Sequence, residues 1–525
     1  MTNYDYIIIG SGFGGSVSAL RLSEKGYRVL VVEKGKWFKP QDFPKSNWNL
    51  KKWLWFPALR FHGIMKISFF RHISLLSGTG VGGGSLVYAN TLPIPKREFF
   101  TTGSWAKLAP WESELQTHYQ TALTMLGAAP TPTLYDGDLA LKALAKQMGI
   151  PEQFEHTHVG VYFGKPNEAT EDPYFGGKGP EREGCRFCGA CMTGCPHRAK
   201  NSLDLNYLHL AQQHGAQIMA EREVVDVKPL DGHNGSTGYE VTMHNSTSYI
   251  KKKQTVTAGG VIFSGGVMGT VKLLLKLKRQ SLPRLSDKLG HDIRTNNETL
   301  LSVSSLDRNK DFSKGVAIGS ILHSDANSHL EVVRYARGSG FWRLLHAPYT
   351  TGSHALIRIL RMMINFLKAP LAYLKIFLAR DWSRNTAVLL FMQTIDTTLR
   401  FKRNALGLMV SGVSHGAKPS ADIPASRILT EGYSDIVNGK PSTFVLEAIA
   451  GIPSTAHILG GAVMGEDADR GVIDKHNKVF GYERMMVIDG AMISANPGVN
   501  PSLSITAIAE RAMSQIPPKS SNLAL

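Results

Sequence analysis

The chain opens on an unbroken apolar run, Tyr4–Ile9, with no polar alternation. That pattern predicts a strand buried on both faces, as in a parallel sheet. Residues 16–25 then read as a helix that Gly26 stops, and 27–32 read as a second strand ending on Glu33. Between the first strand and the helix lies Gly10-Ser11-Gly12-Phe13-Gly14-Gly15, a G-x-G-x-x-G turn. In such a turn Gly10 permits the tight bend, Gly12 lets backbone approach a pyrophosphate, and Gly15 lets helix and strand pack closely. The helix N-terminus adds unpaired N–H groups and partial positive charge for phosphates. Glu33 stands where an acid can bond both hydroxyls of an adenosine ribose. The order strand, turn, helix, strand, acid predicts a dinucleotide-binding Rossmann-like unit.

Later patterning is less uniform. Residues 43–75 mix aromatics (Trp48, Trp53, Trp55, Phe56, Phe61, Phe69, Phe70) with Lys and Arg, which suits either a membrane interface or a solvated face over a core edge. A glycine-rich run spans 77–90, and 105–160 read as ordinary helical chain. Strands are expected around Glu223-Val224-Val225 and at 315–323 and 329–335, with Glu331 inside the last. Residues 355–382 are apolar and basic. Arg358, Arg361, Lys368 and Lys375 share a helical spacing and Pro370 marks a kink, so an amphipathic interfacial helix, a cavity lid and a core helix with a basic outer face are all open. Charge-free runs here are too short to span a bilayer.

Composition narrows the partners. A chain of 525 residues with 43% hydrophobic content and 52 glycines suits two or three loop-rich α/β units. The excess of 59 basic over 42 acidic residues leaves +17. No nucleic-acid fold signature accompanies it, so an anionic membrane surface is the expected partner rather than nucleic acid. With the first strand at residue 4 no signal peptide is expected, which predicts a cytoplasmic protein, peripheral at the inner face of the membrane.

All 4 cysteines fall in one stretch, Cys185, Cys188, Cys191 and Cys195, followed by Pro196. The spacing C-x2-C-x2-C-x3-C-P is that of bacterial ferredoxins, where thiolates wrap an iron–sulfur cluster. The fourth cysteine is a complication, because in two-cluster ferredoxins it serves the other cluster. An iron–sulfur cluster, zinc and no metal are the three readings. Zinc sites more often pair two knuckles separated by a dozen or more residues.

The glycine run 77–90 resembles the second flavin-contacting segment of glucose–methanol–choline (GMC) oxidoreductases, in the branch that includes cholesterol oxidases. Residues 261–270 resemble that family's second signature, and 456–465 with 487–501 resemble its C-terminal half-site. The resemblance implies an α/β fold in which a discontinuous FAD-binding Rossmann-like domain (1–42, 72–98, 216–305, 465–525) carries a β-sheet-based α+β substrate domain (43–71, 99–215, 306–464). It implies that Gly83, Ser85 and Asn90 lie along the flavin and its diphosphate, that Val224 touches the adenine, and that Asp489 and Gly490 hold the ribityl-diphosphate end. It makes His457 and Asn500 the polar groups that meet the substrate hydroxyl, and it aims the helix after Pro501 at the flavin pyrimidine ring. Glu331 would face a steroid, unless it is merely an edge-exposed strand acid. Residues 172–177 and 199–204 resemble a bacterial sterol-oxidase-like subgroup, although ordinary cholesterol oxidases lack the cysteines.

The expected activity is FAD-dependent oxidation of a hydrophobic secondary alcohol, a sterol or steroid 3β-hydroxyl, to the ketone. Glu331 would move a 5,6 double bond into conjugation. Two rivals are a long-chain or terpenoid alcohol dehydrogenase passing electrons through the cluster to a quinone or carrier, and a non-catalytic flavin- or metal-bearing membrane-surface protein.

Overall fold

In the computed structural model, which describes residues 2–520 apart from Ser353 and Ala417, the opening apolar run lies inside a seven-stranded sheet. Tyr4–Ile9 pairs in parallel with Val29–Val32 on one side and with Lys253–Phe263 on the other. Gln217–Met219 extends the parallel set beyond Val29–Val32, and Met485–Val487 joins Lys253–Phe263. Tyr239–Asn245 and Arg222–Pro229 continue it antiparallel. Ile7, Ile8, Leu30 and Val31 are wholly buried, which accounts for the missing alternation. The helix Phe13–Glu24 starts three residues earlier than expected, because the glycine turn is itself the helix entrance.

That helix packs against Tyr207–Gln213 and the terminal helix Ser502–Ser514, which in turn packs on Trp111–Met125. Glu510 ties the group together: it pairs with Arg21 at 2.7 Å and accepts from the Tyr207 hydroxyl at 2.6 Å. Residues 111–125 and 207–213 therefore pack on the dinucleotide unit.

The second sheet has seven strands, all antiparallel, in the order His346–Pro348, Gly439–Phe444, Thr299–Ser305, Thr386–Gln393, Ser328–Val333, Ile318–His323, Phe154–His156. Thr299–Ser305 is a central strand of it. Period-2 alternation separates its faces. Leu301, Val303, Val332, Leu389 and Phe391 pack with the helices Asp136–Gln147 and Pro424–Ile436. Leu300, Val333, Val388 and Leu390 turn the other way, onto a cavity. A fully buried Arg334–Asp138 pair at 2.7 Å pins the first of these helices to the sheet.

Two aromatic or basic segments differ from expectation. Trp53 and Trp55 of the 43–75 stretch are core residues, and Trp53 packs edge-on against Trp342 at 5.3 Å; Trp48, Phe56 and Phe69 are exposed. The 355–382 stretch breaks at Ala369 into helices Ala355–Lys368 and Pro370–Phe377, with Pro370 opening the second. Arg358 is not on an exposed basic face. It is buried, with Nε donating to the Ala448 carbonyl and its terminal nitrogens to those of Gly352 and Ile449. The face turned to solvent is apolar: Leu356, Leu360, Met363, Leu367, Leu371 and Leu374 are exposed. No helix among the described residues is long and apolar enough to cross a membrane.

Candidate active site

A cavity of about 490 Å³ runs from the glycine turn of the first sheet to the inner face of the second. Its first end is built of backbone. The helices beginning at Phe13, Gly266 and Ser502 all start without a side-chain cap, and all three entrances line the cavity. Their unpaired N–H groups therefore face the space a ligand would fill.

The glycines divide by what a side chain would meet. At Gly10, φ +105°, an added Cβ would sit 2.3 Å from the Ser264 carbonyl oxygen, and at Gly15 it would sit 2.1 Å from that of Gly10, so both serve chain packing. Gly14, which the fingerprint leaves unassigned, is as tight, 1.8 Å from the Ile488 carbonyl oxygen. At Gly12 a Cβ would meet nothing within 4 Å. That glycine answers to the cavity rather than to the protein. Gly83, φ +54°, backs directly onto Gly12 and brings the two glycine loops together.

Glu33 lies on the cavity wall and accepts from the Ser11 hydroxyl at 2.8 Å and from the Gly35 N–H at 2.8 Å. Lys34, Lys66 and Lys272 crowd nearby. Repulsion from Lys34, together with burial, pulls the Lys66 ammonium down to about 7. Mutually repelling lysines beside uncapped helix ends fit an anionic dinucleotide. Val224 and Gly490 line the same space. Asp489 does too, with Oδ1 accepting from the Ala491 N–H at 2.7 Å and Oδ2 from the Thr270 hydroxyl at 2.5 Å. Burial lifts its carboxyl to about 6 against these bonds. Ser85 and Asn90 are buried behind the wall, which Gly83, Tyr88 and Ala89 form. Ser85 accepts from the Leu203 N–H at 3.0 Å and donates to Gly82 at 2.7 Å, so it locks the glycine run in place.

Where the two ends of the cavity meet stand His457 and Asn500. His457 follows the short strand Ser454–Thr455, and its N–H donates to Thr455 Oγ1 at 2.9 Å. Its Nδ1 lies 2.6 Å from Glu298 Oε2, a carboxylate with no solvent exposure. With Nδ1–H donating to Glu298, the ring presents Nε2 as its basic nitrogen. Burial works against charging the imidazole, but Glu298, and then Glu331, outweigh it and raise its pKa.

Asn500 precedes the terminal helix. Its Nδ2 donates to Glu331 Oε2 at 3.3 Å, and its Oδ1 has no partner. Accepting this bond, Glu331 sets the orientation of the amide. Glu331 is wholly buried, on the face of its strand that Val333 and Leu390 use to line the cavity, which excludes the edge-exposed reading. Its Oε1 lacks a hydrogen bond, and His329 Nε2 is 3.7 Å away.

Glu298 is the residue that the sequence reading missed. The segment before it positions both polar groups: Arg294 and Leu459 exchange backbone hydrogen bonds at 2.8 and 3.0 Å, and Asn296 Nδ2 donates to the Val499 carbonyl at 2.8 Å. Asn296 and Asn297 both take left-handed backbone, φ 55° and 43°. Two asparagines followed by an acid at the mouth of an apolar strand were the available signal.

The four cysteines border a second, small cavity of about 20 Å³. Burial pushes the Cys185 thiol up. No group of three or more His, Cys, Asp or Glu side chains among the described residues is placed to hold a single metal ion.

The uncapped helix ends, the glycine cradle and the buried histidine–carboxylate pair together define a flavin-dependent alcohol oxidoreductase. Family profiles described as GMC oxidoreductase match residues 4–277 and 412–509, and the chain belongs to that family. Its members bind FAD and act on CH–OH groups. Among its relatives, a cholesterol oxidase of Acinetobacter baumannii is 43% identical, with 98% of this chain and 95% of that one aligned. A cholesterol oxidase of Mycobacterium tuberculosis is 42% identical over 98% and 92%. A long-chain-alcohol oxidase of Arabidopsis thaliana is 23% identical over 98% and 67%. The crystal structure of pyridoxine 4-oxidase from Mesorbium loti superposes with a TM-score of 0.62 at 14% identity, covering 98% of this chain and 99% of that one, a likeness of fold.

Proposed function

We propose that this protein oxidises the 3β-hydroxyl of a sterol or related steroid to the ketone. The observation that carries the reading is a cavity with apolar walls, among them Leu300, Val333, Val388, Leu390 and Trp342, that ends on two polar side chains, His457 and Asn500. A rigid apolar body with one hydroxyl matches such a wall with one polar end. The names of the relatives at 42–43% identity support the same class.

Bound FAD supplies the acceptor for the hydride that leaves the carbinol carbon. His457 Nε2 receives the hydroxyl proton, and the Glu298 carboxylate at Nδ1 stabilises the imidazolium that results. The second Nδ2 hydrogen of Asn500, the one not given to Glu331, holds the substrate oxygen. The uncapped N-terminus of Ser502–Ser514 sets positive potential where negative charge accumulates. Glu331, on the strand face that Val333 and Leu390 use to line the cavity, would move a proton between ring carbons and so conjugate a 5,6 double bond.

The exposed apolar stripe of Ala355–Lys368 and Pro370–Phe377, flanked by exposed Arg361, Lys368 and Lys375, would seat the protein on an anionic lipid surface, where a sterol resides. The test is anaerobic flavin bleaching with cholesterol, a long-chain primary alcohol and a terpenoid alcohol, with mass identification of the product. Bleaching by cholesterol and formation of its 3-ketone are expected. Bleaching by the long-chain alcohol alone would move the assignment to that class.

A further inference from the structure

The cysteine loop is the one motif that alcohol oxidation leaves unused, and its folded form is informative. All four thiol-bearing residues, Cys185, Cys188, Cys191 and Cys195, border the same small cavity. The loop reaches that shape through backbone conformations that favour glycine, at Gly189 (φ +67°), Gly194 (φ +94°) and, without a glycine's freedom, Phe187 (φ +51°). A Cβ at Gly189 would lie 2.3 Å from the Ser313 carbonyl oxygen, and one at Gly194 would lie 2.0 Å from the Phe43 ring. Hydrogen bonds between Gly189 and Gly315, and between Gly315 and Phe187, fasten the loop to the second sheet's approach at 2.9 and 2.8 Å. The protein holds these thiols together deliberately in the physical sense: a tight, strained loop persists only where its surroundings over-determine it.

Charge and hydrogen bonding in the surroundings suit an anionic occupant. Lys200 is buried, lines the cavity, and donates to the carbonyls of Cys191, Tyr88 and Leu86 at 2.7, 3.1 and 3.0 Å. Among the described residues it is a desolvated cation with no carboxylate within ion-pair distance. The Phe187 N–H points at Cys185 Sγ from 3.4 Å. Asn90, wholly buried, reaches toward the Cys191 thiol, yet neither its Nδ2 nor its Oδ1 makes a hydrogen bond of good geometry. A buried, unpaired amide beside a thiol is a donor held ready for sulfur that carries negative charge.

Among the described residues no three His, Cys, Asp or Glu side chains are placed to hold one metal ion. Around a cubane each thiolate binds a different iron, so the four stand farther apart than four that share one zinc. Four local thiols on one cavity, beside a buried lysine, favour a cluster over zinc.

We propose that Cys185, Cys188, Cys191 and Cys195 ligate a four-iron iron–sulfur cluster behind the flavin wall. Met192, inside the loop, lines the flavin-side cavity, as does Tyr88, whose carbonyl Lys200 holds. Cys188 is exposed at the other side. The site thus lies between the alcohol-oxidising centre and the surface. Each alcohol taken to its ketone releases two electrons and two protons. A cluster held by these four thiols would let the electrons leave singly, to two equivalents of an external one-electron acceptor, while the protons go to solvent. The assignment goes beyond the steroid reading and does not depend on which alcohol is used.

The experiment uses the full-length chain, prepared anaerobically and treated with ferrous iron and sulfide. Iron, acid-labile sulfide, zinc and FAD are measured together, with electron paramagnetic resonance after dithionite. Iron and sulfide in equal amounts, with a signal from the reduced cluster, are expected. The Cys188→Ser/Cys191→Ser double variant should lose most of both while retaining FAD, whose retention reports the fold. The single Cys188→Ser change, at the exposed ligand, covers the case in which the double variant fails to fold. Zinc in place of iron, no metal after reconstitution, or iron and sulfide unchanged in the variants would each overturn the proposal. Failure with steroids would leave it standing.

Discussion

At the residue scale the decisive contact is between His457 Nδ1 and the Glu298 carboxylate at 2.6 Å. His457→Ala and Asn500→Ala should keep FAD and lose alcohol oxidation by a factor on the order of 10²–10⁴, the range for one positioned proton acceptor. Steady-state turnover per bound flavin measures this. The pH dependence has a definite sign. Burial opposes the imidazolium, but Glu298 and Glu331 raise the His457 pKa above the ordinary value. The base must be neutral, so the rate climbs as pH rises through the raised value. Glu298→Gln should move that climb to lower pH as well as slow the reaction, and a pH profile unmoved by the change would remove Glu298 from the relay. The raised pKa also contributes stability that is fully present below about 6.5 and is lost as pH rises through the folded value. Glu331→Gln should leave ketone formation in place while the unconjugated 5-en-3-one accumulates from a Δ5-sterol, as product chromatography would show. Equal loss of both steps would deny Glu331 the isomerising role.

At the scale of elements, the strand–turn–helix unit separates two kinds of glycine. Gly12 has ordinary backbone (φ −73°) and open space where a Cβ would go. Gly12→Ala should therefore leave the melting temperature of the flavin-free chain nearly unchanged while weakening FAD by about 1–3 kcal/mol, the usual cost of overpacking a contact. Gly14→Ala should do the reverse first. Its Cβ would fall 1.8 Å from the Ile488 carbonyl oxygen, so the apo fold itself loses stability. Flavin titration and thermal melting of both variants, with and without FAD, distinguish the two effects. The helix Ser502–Ser514 belongs to the same logic, since its uncapped start faces the cavity while Glu510 near its other end anchors Arg21 and Tyr207.

For the molecule as a whole, part of the +17 charge, Arg361, Lys368 and Lys375, lies exposed beside an apolar stripe. Replacing Lys368 and Lys375 by alanine should weaken binding to anionic liposomes by about 1 kcal/mol for each charge. The loss should fade in high salt. Leu360→Glu and Leu367→Glu should weaken it in neutral liposomes too, because they remove buried apolar area. Arg358→Ala should act differently and lower the melting temperature, since that guanidinium bonds carbonyls on the neighbouring helix. Sedimentation with vesicles checks the first two and calorimetry the third.

How much was legible beforehand follows from the range of the forces involved. The Gly10–Gly15 turn, the unalternated strand before it and the acid after it are local. Their spacing alone dictates a nucleotide cradle, because steric freedom at glycine and strand burial act over a few residues. His457, Asn500 and Glu331 could be named from the chain as candidates. Their partnership could not, because it joins four segments. Glu298 had no periodicity to mark it; only the exchanged hydrogen bonds of Arg294 with Leu459 bring it under the imidazole. Arg358 illustrates the opposite failure. Helical spacing put it with Lys368 and Lys375, yet carbonyls contributed by residues 448 and 449 draw it into the interior. Local spacing determined the cradle and the thiol set, while long-range packing decided which side chains face a substrate, which face solvent, and which pair with one another.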